Sequence, residues 1–200
     1  MIRPEIQEQF DVLQGVNPYA RAILGSGSLV LGNRLTRSGR HTDNFLNINR
    51  ALRKQKELQV IINGLAKATE TMKPDVITGV LSFGANFGER VASELGLPFV
   101  RMTRTSIGSS GKKEFIPPNN STEKAKIINA ERVVAVSAFC ISKQTVLDFT
   151  SSEVLEDKAV GVVIGWRRGN PSTEKPLPTD FLPQYLVEHS IPDFVTVDRT

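Results

Sequence analysis

The sequence predicts a doubly wound α/β sheet, and three observations predict it. DVITGV (75–80), PFVRM (98–102), RVVAVS (132–137) and AVGVVIG (159–165) are short runs rich in β-branched residues, the pattern of parallel strands buried on both faces. Stretches of helical spacing separate them, and alternation of strand and helix gives right-handed crossovers onto one mostly parallel sheet. Length and composition agree, since 200 residues with 40% hydrophobic and 23% charged positions make a globular chain of one domain with a real core. In such sheets ligands lie beyond the carboxyl ends of the strands, so the loop after each strand is where chemistry is expected.

Taken in order, residues 4–13 place Ile6, Phe10 and Leu13 at helical spacing ahead of Gly15, a first helix. Residues 24–49 are glycine-rich and partly extended, with GSLVLGN and FLNIN as short strands around LTRSGRHTD. Residues 50–72 put Leu58, Ile61, Ile62, Leu65 and Ala68 on one face of a long amphipathic helix. After the first core strand, GVLSFGANFGERVASELGLP (79–98) carries Phe87, Val91 and Leu95 in a helix that stops at Gly96. Its turn, with Ser82, Phe83 and Gly84, is open to two readings. Backbone N–H groups there hold a phosphate, or the glycines only permit a tight turn.

After the second strand, RTSIGSSGKKEFIPPNNSTEK (104–124) lacks apolar periodicity and reads as a mobile lid or a disordered segment. Lys112 and Lys113 either close over an anion there or are simply solvated. After the third strand, Ser142, Lys143, Gln144 and Thr145 start a helix that contains Val146, Leu147 and Phe149. Their hydroxyls and free N–H groups suit the helix's own cap and a phosphate equally. After the fourth strand come Trp166, Arg167 and Arg168, and an arginine fork at a strand end suits a carboxylate or phosphate as well as solvent. The tail 176–198 is expected to cap the sheet with a turn and a last strand at DFVTV.

The balance of 25 Lys and Arg against 21 Asp and Glu, a net charge of +4, favours a small anionic ligand and is too mild to argue for nucleic acid. Cys140 is the only cysteine, which excludes an internal disulfide and a cysteine-built zinc site. It reads as a small packed hydrophobe. With His41 and His189 the only histidines, a multi-histidine metal site is not expected. No apolar run reaches the roughly 18 residues of a membrane span, and MIRPEIQEQF lacks the apolar core of a signal peptide. A soluble, cytoplasmic chain with no membrane partner is the expectation.

These loops, in this order, resemble the type I phosphoribosyltransferases, and orotate phosphoribosyltransferase most closely, over roughly residues 35–170. In RSGRHTDNFLN, Arg37, Ser38, Gly39, Arg40, Phe45 and Asn47 match the stretch that contacts the base in that family. GVLSFGANFGERVA matches the pyrophosphate loop, LPFVRMTR the strand leading to the catalytic lid, and Arg167 the arginine that holds the orotate carboxylate. Trp166 stands where that arginine's aspartate neighbour is usual. The resemblance implies a single phosphoribosyltransferase-like domain, with a small N-terminal hood at about 1–49, an α/β core at about 50–170 and an extension at about 171–200. It also implies a homodimer. Magnesium would enter only with phosphoribosyl diphosphate (PRPP) or pyrophosphate, and no other cofactor is implied.

The departures cluster on the donor side. Where the family has two adjacent acids that receive the ribose hydroxyls and balance charge at the sugar carbon, this chain has Ser137 and Ala138. The small-residue phosphate turn becomes Ser142, Lys143, Gln144 and Thr145, where Lys143 either adds a point charge or fills the pocket. In the lid, Arg104 is kept while the family's lysines and histidine are absent from RTSIGSSG. Three functions follow. The first is an impaired or inactive relative that binds a nucleotide, a base or a similar anion. The second is a transferase or related enzyme of altered chemistry, for which Asp43, Asp148 or Glu89 would have to supply a carboxylate. The third is a regulatory or RNA-binding protein with RALRKQK (50–56) as its basic face, a run that equally suits a solvated helix face.

Overall fold

The computed structural model describes residues 18–35, 41–79, 81–107, 112–137, 143–155, 157–165 and 193–196. The helix expected at 4–13 lies outside them. The described residues fall into two compact units, one up to residue 61 and the other from residue 62 onward.

In the first unit, helix α1 (Pro18–Gly25) starts on a proline whose missing N–H costs a helix nothing at that position. It buries Tyr19, Ala22 and Ile23, and burial raises the Tyr19 phenol well above its ordinary pKa. Gly27 takes a positive φ of 65° in the turn that follows. Ser26 Oγ donates to the Ile23 carbonyl at 2.6 Å and lies 2.6 Å from Ser28 Oγ, so the buried hydroxyls satisfy one another. Strands β1 (Leu29–Leu35) and β2 (His41–Leu46) pair antiparallel, with a shift in register between Leu31 and Arg34. The first expected strand is present, but the second is displaced: β2 takes His41, Thr42 and Asp43 from the expected loop, and Ile48 and Asn49 of FLNIN are helical instead.

The long helix expected at 50–72 is two helices. Helix α2 (Ile48–Ala51) ends in a turn where Arg53 N donates to Arg50 O and Lys54 N to Ala51 O, and α3 (Gln55–Glu70) begins after it. Ala51 is buried, and Arg50 Nη1 donates to the Gly27 carbonyl at 3.1 Å, which anchors the turn. The apolar stripe itself is as expected, with Leu58, Ile61, Ile62 and Leu65 buried.

The second unit contains a five-stranded sheet in the order β4-β3-β7-β8-β9. Strands β3 (Val76–Gly79), β4 (Phe99–Val100), β7 (Val133–Ser137) and β8 (Ala159–Ile164) run parallel, and β9 (Asp193–Thr196) closes the edge antiparallel to β8. Every residue of β3 and β7 is buried, which is why their letters read as continuous apolar runs. Helix α4 (Leu81–Leu95) follows β3 and ends at Gly96, whose φ of +66° suits a residue without Cβ.

Residues 104–124 are not a structureless segment. Strands β5 (Thr103–Ile107) and β6 (Lys112–Ile116) form an antiparallel hairpin, and helix α5 (Ser121–Asn129) follows. Asn120 caps α5 by accepting from Thr122 N at 2.9 Å. After β7, helix α6 (Lys143–Thr150) is followed by a single 3-10 turn (Glu153–Leu155).

At the amino ends of β3 and β7, Asp75 Oδ2 accepts from Glu131 N and Arg132 N, both at 2.9 Å. Arg132 in turn donates to the carbonyls of Met72 and Lys73. That end of the sheet is locked by side chains, and the carboxyl end is left to the loops. One apolar cluster, containing Val76, Val100, Met102, Phe115, Ile127, Ala135, Phe149, Leu155 and Val162, fills the face beneath the hairpin, α5 and α6. Among the described residues no helix is long and apolar enough to cross a membrane.

Candidate functional site

The strand order places β3 and β7 side by side and sends the chain from them to opposite faces. Such a reversal opens a crevice at the carboxyl ends of the two strands. The described residues nearest that position are the β3-to-α4 junction, Ser137 at the end of β7 and the first residues of α6.

The first wall is backbone against backbone. A Cβ on Gly79 would lie 2.2 Å from Ala85 Cα and 2.4 Å from Ala85 N. One on Gly84 would meet the Val136 carbonyl at 2.9 Å and Ser137 Cα at 3.5 Å, and one on Gly88 would meet a Phe99 ring carbon at 2.9 Å and the Thr78 carbonyl at 3.1 Å. The glycines therefore let α4 lie directly on β3 and β7. Ser82, Phe83 and Gly84 occupy the first turn of that helix. Gly84 and Ser137, matched in the sequence to two different loops, are brought into contact.

Ser137 ends β7 almost fully buried, at 3% exposure, and its carbonyl accepts from Gly165 N at 2.8 Å, which ties the ends of β7 and β8 together. Ala138 and Ser142 lie outside the described residues. Lys143, Gln144 and Thr145 form the first turn of α6.

The second wall is made by side chains. Phe149 of α6 stands edge-on to Phe115 of β6, with ring centroids 5.6 Å apart and planes at 85°. Ser152 Oγ donates to the Phe115 carbonyl at 2.6 Å. Arg104 of β5 donates through Nε to Asp148 Oδ2 at 2.8 Å and through Nη2 to the same oxygen, with the two side chains 20% and 8% exposed. Because Arg104 pairs across the hairpin with Phe115, both face the helix. Arg104 was expected on a lid and Asp148 as a stand-in carboxylate, and the structure joins them in one ion pair. Of the other two candidate carboxylates, Glu89 meets Arg101 at 3.3 Å in an exposed pair, and Asp43 is a residue of β2.

Thr78, which the sequence did not single out, lies one residue before the end of β3 and is fully buried. It pairs with Val100 and Ala135, so it points into the face that holds Phe115 and Phe149. Its Oγ1 is the one buried side-chain polar atom among the described residues without a hydrogen-bond partner.

Lys112 and Lys113 are strand residues of β6, and Lys113 is exposed. Phe45 is in β2, paired through its backbone with Val30, and Asn47 donates from its N–H to the Ser28 carbonyl at 2.6 Å. Arg37, Ser38, Gly39, Arg40, Trp166, Arg167 and Cys140 lie outside the described residues. Among the described residues no group of three or more His, Cys, Asp and Glu is placed to hold a metal ion.

No family model matches the sequence, and no curated protein does. Solved structures do resemble the chain. Orotate phosphoribosyltransferase from Aeropyrum pernix superposes with a TM-score of 0.52 at 19% identity, over 78% of this chain and 85% of that one. The Mycobacterium tuberculosis orotate enzyme, solved with inorganic phosphate, gives 0.54 at 17% over 78% and 87%. Adenine phosphoribosyltransferase from Leishmania donovani gives 0.55 at 19% over 79% and 70%. Strand order and these neighbours agree on one architecture: the chain has the fold of the type I phosphoribosyltransferases.

Proposed function

We propose that this protein binds a nucleotide, a base or a related anion in the crevice between β3 and β7, and that it does so without PRPP-dependent transfer. The observation that carries the proposal is the end of β7. Ser137 and Ala138 follow the apolar strand where the family resemblance calls for two acids, and Ser137 is buried against Gly84. A hydroxyl and a methyl give no charge complementarity to a sugar carbon becoming cationic.

Stand-in carboxylates would have to come from elsewhere. Asp148 is held by Arg104, and Glu89 by Arg101. Magnesium would accompany PRPP or pyrophosphate, but residues 137 and 138 offer it no carboxylate, so these residues do not fit the ion. A phosphate on residues 142–145, a base near Arg37, Ser38, Gly39, Arg40, Phe45 and Arg167, and a homodimeric assembly complete the proposal.

Calorimetric titration with orotate, uridine monophosphate and PRPP tests it, with a PRPP-dependent turnover assay alongside. Binding of the base or the nucleotide, with no turnover above background, is the expected outcome. Turnover would establish the transferase instead, and failure of all three ligands to bind would remove the proposal.

A further inference from the structure

The net charge of +4 is unevenly spread along the chain. Residues 18–61 hold eight Lys and Arg against two Asp and Glu, so that segment carries +6 and the remainder −2. Four of the eight cations, Arg50, Arg53, Lys54 and Lys56, fall within seven consecutive residues, and all four are exposed.

The turn between α2 and α3 gathers them. Arg53 N donates to Arg50 O at 3.2 Å and Lys54 N to Ala51 O at 3.1 Å, while Arg50 Nη1 donates to the Gly27 carbonyl just past the end of α1. Arg21, also exposed, lies one helical turn before Gly25 on the same side of α1. Gly25 abuts Glu57, since a Cβ there would stand 3.4 Å from Glu57 Cγ and Oε1. The acid of α3's first turn is therefore turned toward α1. Among the described residues no ion pair includes any of the five cations.

Like charges gathered without carboxylates repel one another, at a cost to the folded chain. A string of phosphates would relieve that repulsion and release its own counterions as it docked. The neighbouring residues narrow the partner. A membrane surface calls for apolar side chains beside the cations, but Ala51, Leu58 and Ile61 are buried, no large apolar side chain from 49 to 59 is exposed, and Val60 alone follows. Asn49 and Gln55, exposed among the cations, are residue types that donate to phosphate and sugar oxygens. Reading DNA takes an element lying in the major groove, whereas a turn with amides suits the phosphates and 2′-hydroxyls along the shallow groove of an RNA duplex.

We propose that the α2–α3 turn, with Arg21 beside it, is a docking surface for duplex RNA, bound through its backbone without sequence preference. The surface is built from residues of the first unit and shares none with the ligand site proposed above, so the two readings stand or fall separately.

The test is fluorescence anisotropy of a short labelled RNA duplex over a series of salt concentrations, with a DNA duplex of the same sequence and vesicles of anionic lipid as alternative partners. Wild-type protein is expected to bind the RNA at low salt and to lose affinity with a log–log slope of about −4, near 0.9 for each phosphate that five cations neutralise. Arg53→Glu with Lys54→Glu should weaken binding by about tenfold or more and flatten the slope by about two. Arg90→Glu with Lys124→Glu makes the same change in net charge at exposed positions of the second unit, and should leave affinity and slope nearly unchanged. If the first reversal lowers the unfolding temperature, Arg53→Gln with Lys54→Gln removes the charges without adding new ones, and the same flattening is expected.

Equal weakening by both reversals would mean that overall charge rather than this turn attracts the polymer, and would overturn the inference. No RNA binding at low salt would overturn it as well, leaving the cations solvated. Equal or tighter binding of the DNA duplex would refute the assignment to RNA, and binding of the vesicles without the duplexes would replace it with a lipid surface.

Discussion

The two helices that follow β3 and β7 reach the sheet by opposite means. Helix α4 lies on it through missing side chains, at Gly79, Gly84 and Gly88, where backbone touches backbone. Helix α6 is held through side chains, with Phe149 in the apolar cluster and Asp148 on Arg104. A wall of the first kind has no slack, because no rotamer change can relieve a backbone contact. A wall of the second kind can be repacked residue by residue. One helix is thus held rigidly and the other adjustably, and the second is the helix that carries the ion pair and begins at the candidate phosphate residues.

The sharpest way to break the contrast is Gly79→Ala. Its Cβ would stand 2.2 Å from Ala85 Cα, and the helix would have to move off the strand. The expected loss of stability exceeds about 5 kcal/mol, in the range reached only by severe steric defects. Chemical denaturation should find little folded protein, and a variant within 1 kcal/mol of wild type, roughly the median cost of a substitution, would mean that α4 does not rest on β3 as described. Phe149→Ala tests the other wall. It empties a fully buried ring site but leaves backbone contacts in place, and should cost about 3–5 kcal/mol without loss of the fold. Gly84→Ala comes next, at about 1–3 kcal/mol, because the 2.9 Å approach to the Val136 carbonyl is less severe than that at Gly79. A Gly84→Ala loss larger than that of Gly79→Ala would reverse the order of contacts along α4.

The two walls also differ in how well their letters could be read. Strands β3, β7 and β8 were legible because burial on both faces demands uninterrupted β-branched runs. The glycines after β3 were ambiguous for a physical reason, since close backbone approach and an anion cradle both require a residue without Cβ. The hairpin was not legible, because its inward position at Arg104 is charged and its neutralising partner lies 44 residues away. Periodicity counts apolar letters, and here an ion pair takes the place of one. Helix α5 did leave a signal, Asn120 capping a turn that contains Glu123, but the polar run around it masked the start. The break between α2 and α3 had no such marker, because the turn is set by the Arg50 contact with Gly27, distant in sequence. The residues matched to the base, Arg37 to Arg40 and Arg167, rest on the family resemblance alone.

Thr78 sharpens the comparison at its smallest scale, because it sits on β3 but faces the wall built by side chains. In the same layer Arg104 and Asp148 form an ion pair, while the Thr78 hydroxyl has no hydrogen-bond partner among the described residues. A buried hydroxyl deprived of water and given nothing in exchange costs about 1–3 kcal/mol. Valine has nearly the same shape, and Val100 and Ala135 on either side are apolar, so Thr78→Val should fit the site without displacing its neighbours. The expected outcome is a gain of about 1 kcal/mol, which for a chain of this length raises the unfolding temperature by about 2–4 °C. Calorimetric or fluorescence melting of the unliganded protein measures it directly. A fall in the melting temperature would show that the hydroxyl contributes a bond to the fold, and that this wall, like the other, leaves no polar atom unanswered.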